Sequence, residues 1–131
     1  MNVNVFCCMG WGMLTVRRQA EARGRQAEDS VAEIWRSRGY DVLAQRLRTQ
    51  AGEIDLVVAN PATLVFVEVK ARQSFSAAAH AVQPRQQLRL LEAASAALAE
   101  HAEWERPATR FDVALVCNGA IRHIRDAIRY N

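Results

Sequence analysis

Residues 52–70, GEIDLVVANPATLVFVEVK, constrain this chain more than any other stretch. Two short runs rich in Val, Ile, Leu and Phe flank an Asn60-Pro61-Ala62 break. That is the pattern of two adjacent antiparallel strands joined by a turn that Pro61 pre-sets. Charged residues interrupt both runs: Asp55 in the first, Glu68 and Lys70 in the second. A buried, unpaired charge is costly unless a partner or a metal compensates it, so these three positions demand a reason.

Strand side chains alternate between faces, so Glu68 and Lys70 share one side with Leu64 and Phe66, and Val65, Val67 and Val69 share the other. A turn at Pro61-Ala62 pairs Asn60 with Thr63, Val58 with Val65 and Asp55 with Glu68. Two carboxylates and one ammonium then converge near one end of a hairpin. Two such carboxylates repel, and a divalent cation relieves the repulsion. Hard oxygen donors suit Mg²⁺, which typically takes one or two carboxylates plus water and phosphate oxygens. A lysine beside the ion can orient a water or offset charge developing on a phosphate.

The spacing Asp55-x(12)-Glu68-Val69-Lys70 resembles the PD-(D/E)xK nuclease superfamily. The wider chain is similar to one group within it, the YraN-like family of small bacterial proteins classed with endonucleases and related to junction resolvases. The matching stretches are GRQAE (24–28), GY (39–40), AGEIDL (51–56), VFVEVKAR (65–72), AV (81–82), RFDV (110–113) and HI (123–124), in order along nearly everything after residue 23. The resemblance implies an α/β fold, a mixed central sheet flanked by helices with a restriction-endonuclease-like core. It implies Mg²⁺ or Mn²⁺ at Asp55 and Glu68, with the Val69 carbonyl as an extra ligand and Lys70 positioning the attacking water. In this superfamily a glutamate on the first helix often joins the metal site, which here is Glu28. The family places an asparagine two residues before Arg48, where this chain has Arg46. It places a basic residue at position 86, where this chain has Gln86; related resolvases use a glutamine near that point.

At 131 residues the chain is long enough for one domain with a single core. Half of it (50%) is hydrophobic and 24% charged, as in ordinary globular proteins. A net charge of +3 is compatible with nucleic acid without being diagnostic of it. Of its 17 basic residues only Lys70 is a lysine. Lysine is a compact charge that can lose its proton, whereas arginine stays charged, so the exception falls where the chemistry needs it. Cys7, Cys8 and Cys117 form neither a disulfide framework nor a zinc spacing, and His80, His101 and His123 are scattered. A reducing, cytoplasmic setting fits best.

Residues 1–16 are expected to be a disordered tail or an over-extended start, with Met13 as the initiator, and 17–131 a single nuclease-like domain. The apolar part of that tail is too short to span a bilayer and no positive charge precedes it, so no membrane association is expected. A helix over 17–38 follows from Ala27, Val31, Ile34 and Trp35 at helical spacing, stopped by Gly39. Glu28 falls at the edge of that apolar face, where it either pairs with an arginine or joins the site. Residues 40–50 alternate as a strand with Val42, Ala44 and Leu47 inward; Arg46 and Arg48 point outward, to solvent or to phosphate. Residues 71–81 read as a flexible connection beside the site, where Arg72 either touches phosphate or caps the strand. A second helix starts at Pro84 and runs to residue 100, with Leu88, Leu91, Ala94 and Leu98 as its buried stripe and Arg85 on another face. Gln86 orients the site or is a surface polar residue. Residues 110–117 form a core strand, Asn118-Gly119 a hairpin turn, 120–124 its partner and 126–130 a short helix. Asp112 is expected to be a buried aspartate satisfied by backbone or Arg110, and His123 a strand-edge histidine.

Two functions of different kind follow. One is a metal-dependent endonuclease acting on DNA, including branched or flapped forms, with Arg46, Arg48, Arg72, Arg85 and Gln86 toward the nucleic acid. The other is a nucleic-acid-binding or adaptor protein that keeps the fold without efficient cleavage and draws on a homodimer or another protein partner.

Overall fold

The computed structural model describes residues 9–80 and 83–128. Its elements are α1 (Met9–Ser37), β1 (Asp41–Thr49), β2 (Gly52–Ala59), β3 (Thr63–Ala71), α2 (Phe75–His80), α3 (Pro84–Glu100), a 3-10 turn (Ala102–Trp104), β4 (Ala108–Cys117) and β5 (Ala120–Ile124). The five strands form one sheet in the order β1-β2-β3-β4-β5. Only β3 and β4 run parallel; the other neighbours are antiparallel. The expected α/β fold with a mixed central sheet and flanking helices is what the chain adopts, consistent with a restriction-endonuclease-like core.

Each face of the sheet buries its own cluster. Ala27, Val31, Ala32 and Trp35 of α1 pack on Leu56, Val58, Val65 and Val67. Leu90, Leu91, Ala93, Ala94 and Ala97 of α3, with Ala78 and Trp104, pack on Val57, Leu64, Phe66 and Phe111. β3 is therefore covered on both sides, and Leu64 through Val67 have no exposed surface. A parallel β3–β4 pair requires a long crossover, and α2, α3 and the 3-10 turn supply it along one face.

The β2–β3 register is the expected one: Val58 faces Val65, and Ala59 faces Leu64. Asn60 sets the turn, its Oδ1 accepting from the N–H groups of Ala62 (2.9 Å) and Thr63 (2.8 Å). α1 stops as expected at Gly39, whose φ of 87° suits the residue after a helix end, and the Tyr40 N–H returns to the Trp35 carbonyl at 3.1 Å. At Asn118-Gly119 both residues have positive φ, 49° and 82°, as a two-residue hairpin turn requires.

Four expectations change. α1 begins at Met9, so residues 9–16 continue the helix instead of forming a tail; residues 1–8 lie outside the described residues. The connection after β3 contains α2, because Ser74 caps it: its Oγ accepts from the Ala77 N–H at 3.0 Å. Residues 126–128 are not helical; Asp126 has a φ of 54° and its N–H is taken by Asp112, while 129–131 lie outside the described residues. Leu88 is 57% exposed. The helix turns Leu90 and the small side chains of Ala93, Ala94 and Ala97 onto the sheet instead, which lets it approach closely.

Candidate active site

β2 and β3 deliver Asp55, Glu68 and Lys70 to one place. The Val69 N–H donates to Asp55 Oδ2 at 2.8 Å, which holds the Asp55 carboxyl close enough to Glu68 for the two charges to repel. Lys70 Nζ lies 3.2 Å from Glu68 Oε1, with both side chains largely buried. Burial first, then the Glu68 charge, push the Asp55 carboxyl from its ordinary 3.8 up to about 7, against the opposing pull of the Val69 N–H and Lys70.

Glu28 approaches from α1. Burial and then the Asp55 charge raise its carboxyl from 4.5 to about 7, with Arg46 pulling the other way. Glu28 Oε2 is 2.7 Å from Arg46 Nε, yet the two buried atoms are not aligned for a hydrogen bond. Glu28 is thus paired with an arginine and also lies within the electrostatic reach of the hairpin.

The arginine is not where alternation puts it. Arg46 has a φ of 51°, and Gln45 and Arg46, consecutive in sequence, both reach Asp29 Oδ1 on α1. β2 is irregular at the facing point: Ile54 packs in the same cluster as Val57 and Ala59, while Leu56 belongs to the other. The outward, DNA-facing placement expected of Arg46 is therefore corrected: a left-handed residue in β1 turns its guanidinium onto α1. Arg48 does point outward, its side chain 90% exposed and 4.0 Å from Glu53. Arg72 is exposed at the end of β3, its Nη1 donating to the Ala71 carbonyl at 2.7 Å. Arg85 is exposed near the start of α3, and Gln86 Oε1 is buried with no hydrogen-bond partner among the described residues.

A groove of about 650 Å³ opens beside Lys70, walled by Arg23 and Glu28 on α1, Arg72 at the end of β3, and the Asn118-Gly119 turn. Arg23 and Asn118 were not legible as groove residues, since only the packing of α1 beside the β4–β5 turn brings them together.

The residues fit a hard divalent cation in part. Asp55 and Glu68 offer oxygen donors on adjacent strands, with Lys70 as the nearby balancing charge. Among the described residues no three His, Cys, Asp or Glu side chains converge as a ligand group, so Glu28 stands beside the pair and not within it. Asp112 belongs to a separate network. Fully buried, it accepts from Arg110 Nε (2.8 Å) and Nη2 (3.0 Å) and the Asp126 N–H (2.9 Å), and His123 Nε2 lies 2.7 Å away. These partners hold its carboxyl below the ordinary range despite burial. Among the described residues no helix is long and apolar enough to cross a membrane.

Sheet order and helix placement make this an α/β protein with a mixed five-stranded sheet, consistent with a restriction-endonuclease-like core. The chain belongs to the uncharacterised protein family UPF0102, the YraN-like group, whose family model matches residues 27–116. A UPF0102 protein of Acidiphilium cryptum (strain JF-5) is 55% identical over 113 residues, covering 86% of this chain and 88% of its own length. One from Granulibacter bethesdensis is 45% identical over 112 residues, covering 85% and 71%. One from Rhodopseudomonas palustris (strain CGA009) is 47% identical over 105 residues, covering 79% and 81%.

Proposed function

We propose that this protein is a Mg²⁺- or Mn²⁺-dependent endonuclease that hydrolyses phosphodiester bonds of DNA in the cytoplasm. The observation that carries the reading is the Val69 N–H bond to Asp55 Oδ2 at 2.8 Å, which sets that carboxyl at the end of β3 where Lys70 Nζ lies 3.2 Å from Glu68 Oε1. In this reading Asp55 and Glu68 hold the cation, with Glu28 and the Val69 carbonyl as further ligands. Once bound, such an ion supplies a water of lowered pKa and polarises phosphoryl oxygens.

The chain's own groups do the rest. The Val69 N–H fixes Asp55, so the carboxylate does not have to be ordered during the reaction. Lys70 orients the attacking water and offsets charge developing on the phosphate. Arg72 lines the groove, and the exposed Arg48 and Arg85 are further cations that suit phosphate contact, with Gln86 as an orienting acceptor. No side chain bonds covalently to phosphorus.

A cleavage panel of linear, flapped, gapped and four-way DNA with Mg²⁺ or Mn²⁺, run beside Lys70→Ala, tests the reading. Metal-dependent cutting that Lys70→Ala loses supports it. DNA binding without cleavage on any member, in either metal, replaces it with the adaptor function.

A further inference from the structure

Arg46 sits at an irregular point of β1. The ladder pairs Gln45 with Leu56 and Leu47 with Ile54, which sets Arg46 opposite Asp55 without a ladder pair of its own. Its φ of 51° is a conformation that an arginine adopts only under strain, and such outliers persist where the surroundings over-determine them.

The strain brings the guanidinium to three points on α1. Nη2 donates to the Arg25 carbonyl at 3.2 Å and to Asp29 Oδ1 at 3.3 Å, while Nε faces Glu28 Oε2 at 2.7 Å. Nε and Oε2 are both buried, so charge and packing hold the contact. Glu28 meanwhile lines the groove beside Lys70 and Val69. One end of this linkage is therefore β1 opposite Asp55, and the other is a carboxylate on the groove wall beside Val69 and Lys70.

Carboxylates that bind metal are themselves held by neighbours, and losing such a neighbour commonly lowers metal affinity 10–100-fold. We propose that Arg46 is a positioning residue: it holds the Glu28 carboxylate beside the Asp55–Glu68 pair, from where Glu28 joins the cation once the ion is bound. The inference rests on the metal-dependent reading above. It gives Arg46 a role through Glu28 and none in contacting DNA.

Titration calorimetry with Mn²⁺ on the full chain tests it, using wild type, Arg46→Gly, Arg46→Asn, Glu28→Gln and the Arg46→Gly/Glu28→Gln double variant. Glycine and asparagine both accept positive φ, so they remove the guanidinium without adding strain, and the metal-free Tm reports whether each variant is folded. Mn²⁺ affinity should fall about tenfold or more in Arg46→Gly and Arg46→Asn. It should fall as far in Glu28→Gln, and no further in the double variant, because residues acting through one contact are not additive. Unchanged binding in folded Arg46→Gly or Arg46→Asn overturns the proposal. So does tighter binding, the mark of a guanidinium that withholds Glu28, and so do losses that add in the double variant. A wild type that binds no Mn²⁺ overturns the metal reading with it, whereas a wild type that binds no better than Arg46→Gly overturns the inference alone.

Discussion

The backbone N–H of Val69 donates to Asp55 Oδ2 at 2.8 Å, just beyond the last ladder pair between their strands, Leu56 with Val67. A side-chain oxygen thus takes the place of a strand carbonyl, and the hairpin backbone itself aims the carboxylate at Glu68. That arrangement leaves two acids close together with a charge to share.

Divalent cations should accordingly raise the thermal midpoint, since a ligand that binds only the folded state stabilises it by mass action. Scanning fluorimetry with and without Mg²⁺ or Mn²⁺ reads this directly. An equal rise in the Asp55→Asn/Glu68→Gln double variant would place the ion elsewhere.

The metal-free protein should lose stability as pH rises through the neutral range. Asp55 titrates near 3.8 when unfolded and at about 7 when folded, and Glu28 shifts from 4.5 to about 7. Between those values the folded state holds protons that the unfolded chain has released, so each unit of rising pH favours unfolding. Asp112 works in the opposite sense, its lowered pKa giving stability above the ordinary carboxylate range that is lost on acidification. With a chelator present, Tm should therefore fall between about pH 4 and 7, level off above that, and also drop at strongly acid pH. Glu28→Gln with Asp55→Asn should flatten the neutral limb and leave the acid limb in place; a neutral limb that persists assigns it to other groups.

Lys70→Ala should cut turnover on the order of 10²-fold or more while substrate and metal binding change far less, because the contact strengthens during reaction. Lys70→Arg keeps the charge and adds bulk and a planar fork, so a positioned ammonium predicts substantial loss. Full cleavage by Lys70→Arg, on a substrate the wild type cuts, would refute the role given to this ammonium but not the Asp55–Glu68 site.

Arg48 is 90% exposed at its side chain and meets only Glu53, at 4.0 Å, among the ion pairs of the described residues. If it grips a phosphate, DNA affinity should fall steeply with salt, and Arg48→Ala should flatten the log–log slope by roughly one unit or less. An unchanged slope and affinity return Arg48 to the solvated surface.

Asp112→Ala should be the costliest of these changes for folding. It leaves Arg110 and His123 facing an empty acceptor position and frees the Asp126 N–H, a loss of about 3–5 kcal/mol for breaking a buried ion pair. Urea denaturation measures it; a loss under about 1 kcal/mol would mean that solvent reaches and satisfies the stranded partners.

What the sequence made legible was local. Pro61 after Asn60, Gly39 two residues past the α1 end at Ser37, Pro84 and Asn118-Gly119 each carry a backbone preference, and each stands where it was expected. Counting outward from the turn gave the register as far as Leu56 with Val67, and the Asp55 carboxyl meets the next stretch of β3 through the Val69 N–H. Arg46 resisted the same method, because period-two alternation assumes ordinary φ at every residue and this one has 51°. The parallel β3–β4 pairing and the Arg23–Asn118 groove depend on contacts between distant segments, which no local pattern encodes. For Asp112 the expected satisfaction by Arg110 and backbone is present, and His123 is an additional partner reached only through the β4–β5 hairpin.

Trp35 is 2% exposed and keyed into the sheet, and Glu28 lies seven residues earlier on the same helix. That separation is about two helical turns, so the indole fixes the rotational phase at which the carboxylate arrives. Adding or removing one residue between them would swing Glu28 by about 100° away from Arg46, even though every residue named in the site was kept. The interval is a ruler cut to length. In this stretch of chain spacing matters as much as chemistry, and a deletion there would do damage that no substitution at the same positions reproduces.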